Sequence, residues 1–353
     1  MADTLTIRTA GIVTLQDLGR VGRSRYGLPA NGAADQHSAR VANVLCGNDD
    51  RAPLLEITAL DFACVPSSDI LVAVTGAPAE VSVGGVVRPQ WEPLPVRAGE
   101  TVRVTGINRG LRVYLAVLGS FEAEHLQGSC APDTILGFGP PLRAGDELAL
   151  RTACPPIDHP FSRIPLFRLK APVPPFPTSW TIDVTDGPDR AEFGDTGRRL
   201  FDAPFTVTPR SNHIGLRLQG AVPRRVTQGE VLSRGVPIGA VEVPAGDELL
   251  VLHRGRGVTA GYPVLAVVTA TGLSALGQVR PGQTIRFRHR TLDQAITAHR
   301  AQRHAIDALR TRVRTAFEAL RIQHGPALKG RGAVTYAAPP RGRAQPPLTR
   351  ISH

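Results

Sequence analysis

The chain has 353 residues, enough to bury the cores of two domains, and carries a formal charge of +11. Glycine (36) and proline (31) are plentiful while aromatics make up only 5%, a balance that favours many short strands joined by turns. Residues 286–353 hold 14 Lys/Arg against Asp293, Asp307 and Glu318, leaving 27 basic and 27 acidic groups before them, so the body is neutral and a nucleic-acid-binding role for the whole molecule loses its support.

No run of 18 apolar residues occurs, so no membrane span is expected. Met1-Ala2-Asp3-Thr4 lacks both a basic segment and an apolar core, which argues against a signal peptide and for a cytoplasmic location. Cys46, Cys64, Cys130 and Cys154 stand far apart in no ligand spacing and are most simply thiols outside any disulfide.

The first organising stretch is Thr14-Leu15-Gln16-Asp17-Leu18-Gly19-Arg20, followed by Gly22, Gly27, Pro29, Asn31 and Gly32, which are turn residues. Asp35 suits an N-cap, and a helix from about Gln36 turns Ala39, Val41, Ala42 and Leu45 inward before Ala42-Asn43-Val44-Leu45-Cys46-Gly47-Asn48 closes the segment. A polar, glycine-threaded loop between strand and capped helix is where sites are often built, and equally a connection whose polar groups satisfy one another. Strands are expected at Leu54–Ile57, with Glu56 among apolar neighbours, at Ile70–Val74, and at Leu111–Leu118 with Tyr114 inside. Val81–Val87 forms a glycine-turn hairpin. Eight prolines between 155 and 178 exclude helix and central strand and mark a connector running over the first domain's surface.

Beyond it, Trp180–Val184, Leu249–Leu252 and the segment through Val268 are expected strands, with a short helix around Phe193. Ala98-Gly99-Glu100-Thr101-Val102 is echoed by Ala245-Gly246-Asp247-Glu248-Leu249, and Tyr114-Leu115-Ala116-Val117 by Tyr262 to Val267. Arg143-Ala144-Gly145-Asp146-Glu147-Leu148 is likewise echoed by Arg280-Pro281-Gly282-Gln283-Thr284-Ile285, which indicates a duplicated β unit. From Thr291 to about Ile322 the pattern is helical, with Leu292, Ile296, Ile306, Leu309, Val313, Phe317 and Leu320 on a stripe that docks on the body or on a partner. The expected organisation is therefore a β-rich domain over 1–154, a connector over 155–178, a β-barrel domain over 179–288, an amphipathic helix over 289–323 and a disordered basic tail over 324–353.

The chain has no G-x-x-x-x-G-K-[S/T] loop, no G-x-S-x-G elbow and no histidine pair at metal spacing. What remains are polar groups at strand ends, suited to holding a small amide or lactam and stabilising an oxyanion. Glu56 is either a base with a raised pKa or an ion-paired structural acid. The opening stretch and the Thr259–Tyr262 turn are expected to face one cleft between the halves, with Arg20 on the anionic end of a substrate and Asp17 orienting Arg20 or the Gln16 amide; the structural alternative is that Asp17 and Arg20 pair and pin the loop.

The pieces together resemble the biotin-dependent carboxyltransferase family, which includes allophanate hydrolase subunit 2 relatives and the C-type subunits of 5-oxoprolinase. The family's T-x-Q-D-x-G-R, G-x-x-x-x-G-A-x-D and A-N-x-L-x-G-N motifs match Thr14–Arg20, Gly27–Asp35 and Ala42–Asn48, and similarity runs from about residue 5 to 288. In the second half Arg217, Ser233, Gly239, Thr259, Gly261 and Tyr262 fit the pattern. Arg234 stands in place of Glu, Glu242 of Gln and Ala260 of Gly.

The resemblance implies a mainly β fold of two cyclophilin-like barrel halves. It implies candidate catalytic carboxylates at Asp17, Glu56 and Glu242, and substrate contacts at Gln16, Arg20, Asp35, Asn43, Arg217, Ser233, Thr259, Gly261 and Tyr262. It further implies a cytoplasmic member of an amide- or lactam-hydrolase complex, of the C type in 5-oxoprolinase, converting 5-oxoproline to glutamate. Its partners would be the A-type and B-type proteins of that complex, with ATP used by the whole assembly. Met1 is the only methionine, so the M-K-M of a biotin carrier is absent. One alternative is carboxyl transfer between biotin and urea; another is a non-catalytic regulator of a kinase inhibitor.

Overall fold

The computed structural model describes residues 3–151, 168–227 and 229–322. The first half contains β1 (Thr4–Gln16), α1 (Gln36–Leu45), β2 (Leu54–Pro66), β3 (Ile70–Gly76), β4 (Glu80–Val83), β5 (Val86–Arg88), β6 (Pro93–Val96), β7 (Val102–Thr105), β8 (Arg112–Val117) and β9 (Glu147–Ala149). These strands form one nine-stranded, barrel-like sheet in the order β5-β4-β7-β2-β8-β3-β6, with β1 on β2 and β9 on β1. β1 pairs along nearly all of β2, while the far edge of β2 gives residues 55–58 to β8 and residues 62–64 to β7. Register shifts in β1 and the positive φ of Ala59 bend this ribbon, so one strand serves two neighbours. All seven residues of β3 are buried, as its unbroken apolar run requires of a strand covered on both faces. One of those faces meets α1, whose N-cap Asp35 accepts from the Ser38 amide.

The second half contains β10 (Ser179–Asp186), a 3-10 segment (Arg190–Arg198), α2 (Arg199–Asp202), β11 (Phe205–Val207), β12 (Gly215–Gln219), β13 (Arg234–Gly235), β14 (Ala240–Glu242), β15 (Glu248–Leu252), β16 (Thr259–Ala260), β17 (Val264–Val268), α3 (Ala270–Leu276), β18 (Thr284–His289) and α4 (Leu292–Ala319). Seven strands close a barrel in the order β10-β17-β14-β15-β12-β11-β18, shut by parallel pairing of β18 with β10, and β13 pairs with β16 as a separate ribbon. The fold is mainly β with two barrel-like sheets. The echoed segments fall on β7 and β15, β8 and β17, β9 and β18. Their pairing differs, since β9 runs antiparallel to β1 while β18 runs parallel to β10.

α4 opens with a capping box in which Thr291 and Gln294 exchange side-chain-to-backbone hydrogen bonds. Its Ile306, Leu309, Val313 and Phe317 enter the core of the first half, whereas Leu292 and Ile296 near its start are exposed. The stripe therefore docks on the body, through its C-terminal turns. Of the proline connector, residues 168–178 are described: Leu169 joins the first core, and Arg312 of α4 donates to its carbonyl at 2.9 Å. Residues 155–167, Cys154 and the basic tail lie outside the described residues, and Cys46, Cys64 and Cys130 are buried outside any disulfide. Among the described residues no helix is long and apolar enough to cross a membrane.

The halves are joined by a polar seam. Gln278, 1% exposed, accepts from the Leu111 and Arg112 amides at 3.0 and 2.9 Å, and donates to Asp35 Oδ2 at 2.8 Å and to the Arg112 carbonyl at 3.0 Å. Arg112 reaches back to the Gly277 carbonyl, and Arg280 to those of Ile107 and Gly110. Four hydrogen bonds on one buried amide leave little freedom in how the two sheets meet.

Candidate functional site

Between the halves opens a cavity of about 490 Å³. From the first half it is lined by Gln16 at the end of β1, Asn31 and Gly32, Glu56 of β2, Arg112 of β8 and the loop 132–141; from the second by His213 and by His253-Arg254-Gly255 just after β15. Two glycines let the wall form. A Cβ on Gly19 (φ 84°) would lie 2.5 Å from the Ala30 and Asn31 carbonyl oxygens, and one on Gly32 (φ 89°) 2.5 Å from the Gly19 nitrogen. The two turns thus touch backbone to backbone, and the Asn31 amide donates to the Arg254 carbonyl at 3.0 Å, stitching the wall to the other half.

Glu56 sits on the cavity floor in a closed network. Its Oε2 accepts from the Ala34 amide at 2.9 Å and from the Tyr114 hydroxyl at 2.8 Å, and Oε1 pairs with Arg112 at 3.3 Å. Tyr114 in turn accepts from the Asp35 amide, and burial together with the Glu56 charge holds the phenol well above its usual pKa. Three other lining residues each have a buried atom that lacks any partner: Gln16 Oε1, His253 Nε2 and Arg254 Nε. Burial lowers His253 to a pKa of about 3, so its ring is neutral at physiological pH, and its ring also hydrogen-bonds the Leu273 backbone. Burial lowers Arg254 to about 10, which still leaves it charged. An unpaired buried polar atom costs about 1–3 kcal/mol, more when charged, and these three belong to residues that wall one cavity.

The expected site residues separate into groups. Gln16 and Glu56 line the cavity. Asp17 and Arg20 do not, and both instead hold the segment 126–133. Asp17 accepts from Ser129 Oγ at 2.6 Å and the Cys130 amide at 3.0 Å, while Arg20 donates to the Leu126 and Ala131 carbonyls and pairs with Asp133 at 3.6 Å. With its side chain fully buried, Arg20 has no face left for a substrate, which corrects the expectation that it meets an anionic group. Asp35 is a helix cap, and Asn43 donates to the Ala52 carbonyl at 2.8 Å and accepts from Asn48 at 3.2 Å, closing the turn after α1.

Arg217, Ser233, Thr259, Gly261 and Tyr262 also lie outside the residues lining this cavity, so the Thr259–Tyr262 turn and the opening stretch do not share it. Arg217 pairs with Glu248 across β12 and β15 at 2.5 Å. Ser233, Thr259, Gly261 and Tyr262 belong to the β13–β16 ribbon and its flanks, which Arg234 ties to Asp189 of the barrel. Glu242 is buried with Oε1 unpartnered, and burial raises its pKa to about 7 despite the opposing charge of Arg256. The cavity residues that sequence inspection missed are Arg112, His213, His253 and Arg254. The available signal was a histidine, a pair of arginines and glycines abruptly ending an apolar strand at His253-Arg254-Gly255-Arg256.

A family model described as carboxyltransferase domain, subdomain A and B, matches residues 26–289, and the chain belongs to that family. It is similar to the C subunit of 5-oxoprolinase from Escherichia coli, with 32% identity over 314 residues covering 87% of this chain and 97% of that protein. Urea amidolyase of Saccharomyces cerevisiae is 30% identical over 298 residues, 78% of this chain and 16% of that protein. The Kluyveromyces lactis urea carboxylase structure shares the fold, with a TM-score of 0.77 at 24% identity over 87% of this chain and 29% of that one. The chain spans less than a third of that solved structure's length.

Proposed function

We propose that the cleft binds a small carboxylate-bearing amide or lactam and that the chain serves in an ATP-dependent lactam hydrolase, in the place of the C subunit of 5-oxoprolinase, opening 5-oxoproline to glutamate. The observation that carries this is the trio of unpartnered atoms around the cleft. Gln16 Oε1 and His253 Nε2 would take N–H donors, and Arg254 Nε would donate to a carboxylate, the complement of a ring amide with an acid beside it. A neutral His253 can accept without placing a second cation next to Arg254. Glu56, committed to Arg112, Tyr114 and the Ala34 amide, serves as the anchor that holds Arg112 at the floor. The phosphate chemistry of ATP is assigned to A-type and B-type partner proteins, because the chain has no phosphate-loop motif.

The relative matched over almost its whole length supports this reading, and carboxyl transfer between biotin and urea has the parallel support of the urea amidolyase match. Urea also offers N–H donors to Gln16 and His253 but has no anionic end for Arg254. The test is ATP-dependent conversion of 5-oxoproline by the assembled complex. Gln16→Leu should raise KM about tenfold, the loss of one good hydrogen bond to a bound ligand, and the lone chain should turn over no ATP. Urea-dependent decarboxylation of carboxybiotin, with no 5-oxoproline turnover, would give the site to the second reaction.

A further inference from the structure

Arg254 also lines a second cavity, of about 470 Å³, walled by α1, α3, α4 and the turn after α1. Arg40, Arg51, Arg254 and Arg303 border it against one carboxylate, Asp50. That carboxylate is already divided. Arg40 makes its shortest contact, Arg303 approaches at 3.4 Å and Arg310 at 3.7 Å. Four arginines border the cavity against one lining carboxylate, an excess of positive charge along its wall.

Among the side chains bordering this cavity, His37, 6% exposed, has a buried ring atom, Nδ1, without a partner. The His37 ring meets the Pro172 carbonyl through Nε2 at 2.7 Å, and a carbonyl can only accept, so Nε2 carries the hydrogen, and in the neutral ring Nδ1 is then the acceptor. The cavity therefore offers forked cations for oxyanion oxygens and one acceptor for a hydroxyl.

We propose that this cavity is a binding site for inorganic phosphate. Guanidinium groups match tetrahedral oxyanions through paired N–H donors, and phosphate at neutral pH keeps an O–H that His37 Nδ1 can accept. Sulfate has the same shape without that hydrogen and would leave the acceptor facing an oxygen lone pair. The site stands apart from the cleft chemistry argued above. It depends on Arg303, which lies beyond the residues 26–289 matched by the family, and it meets the cleft only at Arg254.

Titration calorimetry of the full chain with sodium phosphate, at constant ionic strength in sodium chloride, tests this. Saturable binding is expected, weakened about tenfold by Arg303→Ala and by Arg51→Ala, each removing a charge-assisted contact. Gln16→Ala, in the cleft, should leave phosphate affinity unchanged, and sulfate should bind at least about tenfold more weakly. Absence of saturation by about 10 mM phosphate overturns the proposal. So does loss of binding in Gln16→Ala with Arg303→Ala unaffected, which would place the anion in the cleft. Sulfate binding as tightly as phosphate would overturn the assignment of the anion.

Discussion

Single side chains in this protein are decided by partners far away in sequence. Arg20 looks exposed and functional beside Gly19, yet its guanidinium is taken up by carbonyls 106 and 111 residues on. Arg20→Ala should cost about 3–5 kcal/mol in denaturant unfolding, because it leaves Asp133 buried without its cation; a loss below about 1 kcal/mol would mean the loop holds itself. Glu242 makes a second case, and its effect depends on pH. Burial raises its pKa from 4.5 unfolded to about 7 folded, so the folded state holds the proton more tightly. Its contribution to stability is full below pH 4.5 and declines as pH rises through 7, by a total approaching about 3 kcal/mol. Glu242→Gln removes the ionisation, so the variant should gain about 2–3 kcal/mol over the parent at pH 8.5 relative to pH 4.5. Urea unfolding at the two pH values measures this, and a pH-independent difference would show that Glu242 does not titrate in that window.

At the scale of elements, the helical period of 291–322 was legible because apolar residues recur every three and four positions and Thr291 caps the start. Which part of the stripe docks was not, since Leu292 and Leu309 are the same residue type on one helix. The structure buries Leu309 completely and leaves Leu292 68% exposed. Leu309→Asp should cost about 3–5 kcal/mol by placing a charge in the first core, while Leu292→Asp should change stability by less than about 0.5 kcal/mol. Equal effects of the two in thermal melts would refute the docking. The 13-residue β1 and β2 ran longer than their sequence suggested, because bulges let one strand pass between neighbours where an apolar alternation is interrupted.

Across the whole molecule, Gln278 binds the two halves. Gln278→Ala leaves Asp35 and the Leu111 and Arg112 amides short of partners at a buried seam, at about 1–3 kcal/mol per group. Calorimetry should show the single transition of the parent lowered and split into two, one for each half; a single unshifted transition would mean the seam carries no coupling. Local sequence determined much of this protein by itself. Glycine and proline density fixed the β class, turn residues and the Asp35 cap fixed where α1 begins, and the opening motifs placed the chain among its relatives, since each depends on neighbours within a few residues. Only the tertiary structure decided the site. Gln16 and Arg254 stand 238 positions apart, and nothing local to either records that the other will face it. Their meeting depends on how two closed sheets dock through the Gln278 seam, and docking is set by long-range hydrogen bonds and burial that no short stretch of sequence contains.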